Sequence, residues 1–328
     1  MPEDVVISII LTAYNDEERI PETIDRMAKT AGFDDCELVV VDDHSTDGTL
    51  DVIRSACSGI ERALILPLPE NGGVAAARRR GLAAASGRFI WFIDSDDAWP
   101  DQALSSWKAA ISENPTADVI FGQARVIHLN GETRIIGARI GGSDRRSAFA
   151  SLLSGNVRGH LWSKLFRREL LVGSDILGTT VHSDLAMTVS AMARAEVYAV
   201  TPARVYEYML RPGSIIRSGR PRAESLIAID QRLSAVLAAD PTTATPEEHA
   251  SFRHRFILLS LLTDSLNEGY TPIERRDLVR RVRQEIEWLA IARLARSGGS
   301  KQAALLAVAK LSSTTANLAA RILIRAAR

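Results

Sequence analysis

Through its first hundred residues the chain alternates short apolar runs with amphipathic stretches. Val5–Thr12 is a continuous β-type run, Glu37–Val41 a second and Ala63–Leu66 a third. Phe89–Ile93 is a fourth, aromatic and β-branched, of the kind buried on both faces. Between them, Ile20, Ile24, Met27, Ala28 and Ala31 fall on one face of a helix whose first turn tolerates Pro21. Leu50, Ile53 and Cys57 mark a second helix, and Asn71-Gly72-Gly73 opens an Ala-rich third that carries Arg78, Arg79 and Arg80. This cadence predicts βαβ units and a mostly parallel sheet flanked by helices, an α/β fold. A helix from about Gln102 to Ser112 and a strand over Asp118–His128 follow, with Thr133–Ile136 returning antiparallel across the Asn130-Gly131 turn. Arg146–Leu153 reads as helix, and Val197–Val200 and Val205–Met209 as strands. Trp162–Arg168 mixes aromatic and basic residues and reads, on its residues alone, as an amphipathic segment with a solvated face.

From Pro221 the pattern is helical to the end, interrupted at Asp240-Pro241, Gly269, Pro272 and Ser297-Gly298-Gly299. The change of pattern divides the chain into a domain over residues 1–218 and a helical C-terminal region over 219–328. Lys plus Arg equals Asp plus Glu at 40 each, so net charge offers no argument for a nucleic-acid partner. Cys36 and Cys57 have no metal-ligand spacing and cannot staple a chain of this size. Together with an acidic N-terminus and no apolar run near the roughly 20 residues that cross a bilayer, they point to a cytoplasmic protein, with peripheral attachment at the inner membrane face left open.

The candidate chemistry sits at the strand ends. In a parallel sheet ligands bind beyond the carboxyl ends of the strands, which places Tyr14, Asp43 and Asp94–Asp97 along one rim. Three carboxylates closing an apolar strand are costly to desolvate together unless solvent or a cation holds them. On an extended backbone Asp94 and Asp96, two apart, point the same way. Such hard oxygen ligands suit Mg²⁺ or Mn²⁺, a substrate diphosphate completing the shell. The same residues are also compatible with a solvated turn in which Asp97 or a neighbour caps the helix near Trp99-Pro100.

Taken together, Ile9–Asn15, Val41-Asp42-Asp43-His44-Ser45-Thr46-Asp47-Gly48-Thr49, the Asn71–Gly81 segment and Ile93-Asp94-Ser95-Asp96-Asp97 resemble family 2 glycosyltransferases of the GT-A fold, over about residues 5–215. The resemblance implies that Thr12, Ala13 and Tyr14 line the nucleotide base, with Glu17 near the ribose and Asp43 accepting from the base edge. It implies Arg78, Asp94 and Ser95 as further nucleotide-sugar contacts. It makes Asp94 and Asp96 the acids of an Asp-x-Asp motif, Asp96 being the principal metal ligand unless the register moves to Asp97. Arg79 stands where the family usually has Asn. Asp184 resembles the catalytic base, although Ser183 replaces the Glu that usually precedes it. Trp162, Lys164 and His182 would lie on the acceptor or diphosphate side, and Arg211 and Ser214 in a loop over the diphosphate.

The implied activity is inverting transfer of a sugar from a nucleoside diphosphate, a UDP-sugar in the commonest case, to a glycan, lipid-linked or cell-envelope acceptor. A catalytically inactive nucleotide-sugar binding module is one alternative. A nucleotidyltransferase is another, disfavoured because Thr12-Ala13-Tyr14-Asn15 stands where a glycine-rich phosphate loop would be. The stretch Ile291–Arg328 carries seven basic residues and no acidic one. On one continuous helix Lys310, Arg321, Arg325 and Arg328 would fall within about 60° of each other. A stripe of that kind fits either anionic lipid or a solvated face, and a homo-oligomer contact there also stays open.

Overall fold

A computed structural model of the chain describes residues 5–173, 181–210, 221–296 and 299–326, with side chains placed through 323. Arg211 and Ser214 lie outside the described residues. The chain forms two compact units, one of Met1–Ser151 with Asn156–Arg211 and one of Leu152–Gly155 with Pro212–Arg328.

The first unit is built on an eight-stranded sheet ordered β3-β2-β1-β4-β7-β5-β6, with β8 also on β5. Strands β1 (Ile7–Ala13), β2 (Cys36–Asp42), β3 (Ala63–Pro67) and β4 (Phe89–Asp94) are mutually parallel. Helices α1 (Ile20–Ala28), α2 (Thr49–Cys57) and α3 (Gly73–Ala84) join them. These strands and helices meet the expectation drawn from the alternating pattern. Register matters more than order: Thr12 lies opposite both Val41 and Asp94. The carboxyl ends of β1, β2 and β4 therefore finish level, which is what lets one rim collect their polar residues.

Beyond β4 come α4 (Ala103–Glu113), β5 (Val119–Ile127), β6 (Thr133–Ile136), α5 (Arg145–Ser154), β7 (Lys164–Arg167), α6 (Arg168–Leu171), α7 (Ser183–Met192) and β8 (Tyr198–Met209). The Asn130-Gly131 hairpin forms as expected, with Gly131 at φ +81°. Two expectations are corrected. Trp162–Arg168 is not an amphipathic surface segment, because Lys164–Arg167 is strand β7, antiparallel to both β4 and β5 in the middle of the sheet. The two strands expected near 197–209 are one strand, paired parallel to β5 across an irregularity.

Trp91 on β4 anchors the core. Its ring meets Trp99, Trp107 and Tyr206 edge-on at centroid distances of 6.1–6.3 Å, each contact adding about 0.5–1.5 kcal/mol beyond burial. Its Nε1 donates to the Trp162 carbonyl at 2.8 Å, tying β4 to the segment that enters β7. Both cysteines are free and buried.

The second unit is helical, with helices over Ala223–Ala239, Pro246–Asp264 (through a π turn at Arg253–Leu258), Pro272–Glu285, Trp288–Arg296, Ser300–Leu311 and Ser313–Ala326. Pro246 and Pro272 open helices in capping boxes set by Thr245 and Thr271. The continuous basic C-terminal helix does not form. Ser312 is extended, at φ −154° and ψ 167°, and its hydroxyl accepts from the Thr315 N–H at 3.1 Å to start a new helix. Lys310 turns inward and donates to the Arg283 carbonyl at 3.0 Å. Lys310 is thereby separated from the rest of the stripe; the Arg325 side chain and Arg328 lie outside the described residues. No helix among the described residues is long and apolar enough to cross a membrane.

Candidate active site

Arg78 is the hub of the rim. One guanidinium nitrogen, Nη1, reaches Asp184 Oδ1 at 2.6 Å and Ser183 Oγ at 3.3 Å, while Nη2 reaches Asp94 Oδ1 at 3.1 Å. Three elements are needed for this. Helix α3 lies directly on the sheet because Gly81 has no side chain: a Cβ there would come within 2.8 Å of Ile10 Cγ2 and 3.2 Å of Val41 Cγ2. Strand β4 ends in Asp94, and α7 opens with Ser183 and Asp184. A guanidinium presents its donors in a fixed fork, so one arginine can hold two carboxylates from different directions.

Charge on the rim is unevenly carried. Burial would raise Asp184, but the Arg78 guanidinium overrides it and holds this carboxyl below the usual range. Asp94 moves the other way, to about 6, through burial and the neighbouring Asp184 and Asp96, with Arg78 opposing. Asp97 is pushed up to about 8 by burial and by Asp94 and Asp96.

The acids also differ in what occupies them. The strand stops at Asp94 and the chain turns, the Asp97 N–H bonding the Asp94 carbonyl at 3.3 Å. The extended geometry expected for Asp94 to Asp96 therefore ends at its first residue. Asp97 does not cap the following helix. Its Oδ2 accepts from Tyr206 Oη and its Oδ1 from the Met209 N–H, both at 3.0 Å. The same Tyr206 oxygen accepts from the Asp94 N–H at 3.1 Å. Asp96 is half-buried, holds no hydrogen bond or ion pair among the described residues, and lies within electrostatic reach of Asp94 and Asp97.

Ser95 is committed as well: its hydroxyl donates to Asp16, and its carbonyl accepts from Thr23 Oγ1 at 2.8 Å. Asp16 in turn accepts from Arg19 Nε at 2.6 Å, and its N–H donates to Thr49 Oγ1 at 2.7 Å. Glu17 accepts from the Gly48 N–H at 2.7 Å, at the start of α2. Asp43 is buried, and its Oδ1 accepts from the Gly72 N–H at 2.8 Å. Burial raises its carboxyl against that bond. Thr12 and Ala13 close β1, and Tyr14 follows half exposed. Next to it, Asn15 is left-handed at φ 48° and accepts from the Thr46 N–H at 2.8 Å.

On the β7 side, Trp162 is buried in a stack between His160 (4.6 Å) and Tyr206 (4.8 Å), with Tyr208 at 5.4 Å. His182 precedes α7 with φ 61°. Lys164 is fully buried, its ammonium turned to the carbonyls of Arg158 and His160. Tyr206, Asp16 and His160 were missed from sequence. An aromatic residue in a strand and an acid beside a loop carry no local mark of such roles.

Among the described residues no group of three or more His, Cys, Asp or Glu is placed to hold a metal by itself. Asp96, unengaged among the described residues and beside the Asp94 and Asp97 carboxyls that burial and its own charge push up, nonetheless fits a hard cation that takes one or two carboxylates and completes its shell with phosphate and water.

Residues 8–171 match the model of the family described as glycosyl transferase family 2. The chain belongs to the family 2 glycosyltransferases. It is 28% identical to EpsH of Bacillus subtilis (strain 168) over 286 residues, 84% of this chain and 80% of that one. It is also 28% identical over 242 residues to the poly(ribitol-phosphate) beta-glucosyltransferase of Bacillus spizizenii, covering 71% of this chain but 37% of that longer one. In three dimensions it is similar to S. aureus TarS 1–349 in complex with UDP-GlcNAc, with a TM-score of 0.68 at 21% identity over 96% of this chain and 89% of that one. The fold is therefore the expected GT-A type, and the chain is an enzyme of the glycosyltransferase class. Enzymes of this family generally use a divalent metal.

Proposed function

We propose that the chain transfers a sugar from a UDP-sugar to a hydroxyl group of a cell-envelope glycan, inverting the anomeric centre, with Asp184 as general base. The observation that carries this is the meeting of Asp94 from β4 and Asp184 from α7 on Arg78 from α3, beside Asp96, which is unengaged among the described residues. The UDP-GlcNAc complex of the structurally similar TarS supports a UDP-sugar donor. The polymer named for the Bacillus spizizenii relative supports a cell-envelope acceptor.

In this reading β1, β2 and β4 hold the nucleotide along their level ends, with Thr12, Ala13, Tyr14 and Asp43 facing the base and ribose. Asp96, with Asp94, would hold Mn²⁺ or Mg²⁺, and that cation supplies neutralisation of the negative charge growing on the leaving diphosphate. Asp184 takes the proton of the attacking hydroxyl, a contribution of about 10²–10⁴-fold for a positioned base. Attack from the face opposite the diphosphate inverts the sugar. The stack of His160, Trp162 and Tyr208 borders the acceptor side.

UDP release from a panel of nucleotide sugars with Mn²⁺, compared between the parent and Asp184→Asn, tests the assignment. Transfer should vanish in the variant while UDP affinity by calorimetry stays close to the parent; undiminished turnover would remove Asp184 from the mechanism. A lipid-linked acceptor would bring the chain to the inner membrane face through its basic C-terminal region. Co-sedimentation with anionic liposomes, with and without residues 300–328, examines this, and equal binding by both would end it.

A further inference from the structure

Lys164 is the most deeply buried ammonium of the first unit, 1% exposed, yet no carboxylate pairs with it among the described residues. A lysine in such a place is usually neutralised or matched by an anion. Here its Nζ donates to two backbone carbonyls, those of Arg158, at 2.7 Å, and His160. The carbonyl between them, Gly159, accepts from Thr188 Oγ1 of α7 at 3.0 Å, and the Leu161 carbonyl accepts from the Lys164 N–H at 2.9 Å. Four successive carbonyls are thus fixed, two of them by one side chain. Gly159 allows the loop to lie on α7, since a Cβ there would stand 2.8 Å from Leu185 Cβ and 2.9 Å from Leu185 Cα.

The consequence lies in one peptide plane. The His160 carbonyl and the Leu161 N–H belong to the same trans peptide and point in opposite directions. Lys164 holds the carbonyl end, and the Leu161 N–H favours the charged form of Asp184. We propose that Lys164 is a positioning residue for Asp184, its buried ammonium fixing the Arg158–Leu161 loop against the first turns of α7, which carry the candidate base. The same tether sets His160 against Trp162, so the base and the acceptor-side stack are placed by one group. Burial drives the ammonium down to about 7 and Asp184 opposes this, consistent with two charges coupled at short range without touching. The inference rests on Asp184 being the base.

Kinetics of UDP release from UDP-GlcNAc and UDP-glucose with Mn²⁺ tests it in three variants of the full chain. Lys164→Met removes charge and donors. Lys164→Gln keeps an amide donor on a shorter, neutral side chain. Gly159→Ala pushes the same loop off α7 without touching Lys164. Turnover at saturating donor should fall about tenfold or more in Lys164→Met and Gly159→Ala, and about threefold in Lys164→Gln, since small misplacements of a reacting group are costly. Donor KM and UDP affinity should stay within about twofold of the parent, because the nucleotide side is untouched. A parent-like turnover in any of the three overturns the proposal, as does a loss of UDP affinity matching the loss of turnover. Should Lys164→Met fail to fold, the other two decide by the same criteria. Full turnover in Asp184→Asn would overturn the base assignment and this proposal together; a failure confined to these three variants overturns this one alone.

Discussion

Arg78 and Asp184 are 106 positions apart in the chain and meet at 2.6 Å, with Asp94 on the same guanidinium at 3.1 Å. The arginine expected to touch the nucleotide is the group that joins the strand-end acids to the candidate base. It is almost wholly buried, whereas both carboxylates keep some contact with solvent. Removing it leaves two acids facing each other with nothing between them.

Arg78→Ala should therefore lower both stability and turnover. Breaking a buried pair by deleting one partner costs about 3 kcal/mol, which a urea titration resolves. Arg78→Lys restores the charge but not the fork, so it should recover stability in part and turnover less. Equal recovery of both would show that the charge alone matters.

The choice between Asp96 and Asp97 as principal metal ligand follows from their partners. Both oxygens of Asp97 are taken by Tyr206 and Met209, while those of Asp96 are unengaged among the described residues. Asp96→Ala should weaken Mn²⁺-dependent UDP binding by about tenfold or more, and Asp97→Asn should leave it close to the parent. Calorimetric titration of UDP with and without Mn²⁺ measures both, and a reversed order would move the metal to Asp97.

The parallel half of the sheet was legible because its strands are unbroken β-type runs bounded by turn residues and separated by helices, the cadence of βαβ units. Strand β7 was not. Lys164 and Arg167 disguise a four-residue strand at the centre of the sheet, and nothing local says that an ammonium will be satisfied by carbonyls. The acids of the rim could be named from sequence, but Arg78 as their bridge could not, since its partners arrive from β4 and α7. The break at Ser312 did have a local signal, Ser312 with Thr315 as an N-cap pair, obscured by the apolar pattern running through it.

Tyr206 links the Asp94 N–H to the Asp97 carboxylate through one hydroxyl. Tyr206→Phe keeps the stack on Trp162 and deletes only that oxygen, leaving a buried N–H and a buried carboxyl short of a partner. A loss of about 1–3 kcal/mol is expected, with Mn²⁺-dependent UDP binding weakened because the turn carrying Asp96 loses its support. Thermal denaturation and calorimetry report the two effects separately. An unchanged melting temperature would mean that water replaces the hydroxyl.

Lys164 gives a pH dependence whose sign can be worked out. Its folded pKa, about 7, lies below its ordinary value of 10.5, so between these values the unfolded chain binds more protons than the folded one. Stability contributed at this site therefore rises with pH across that window, and the penalty of the buried charge is fully present below pH 7. Lys164→Met has no such penalty. The melting temperature of the variant minus that of the parent should be highest near pH 6 and decline steadily toward pH 10, whatever its absolute value. The subtraction cancels groups that do not feel Lys164, including Tyr198 and Tyr208; His160, which the ammonium also lowers, titrates in the fold near 4, below this range. A flat difference over this range would show that Lys164 keeps its ordinary affinity for a proton in the fold, and that its two carbonyls, with Asp184 nearby, offset the burial completely.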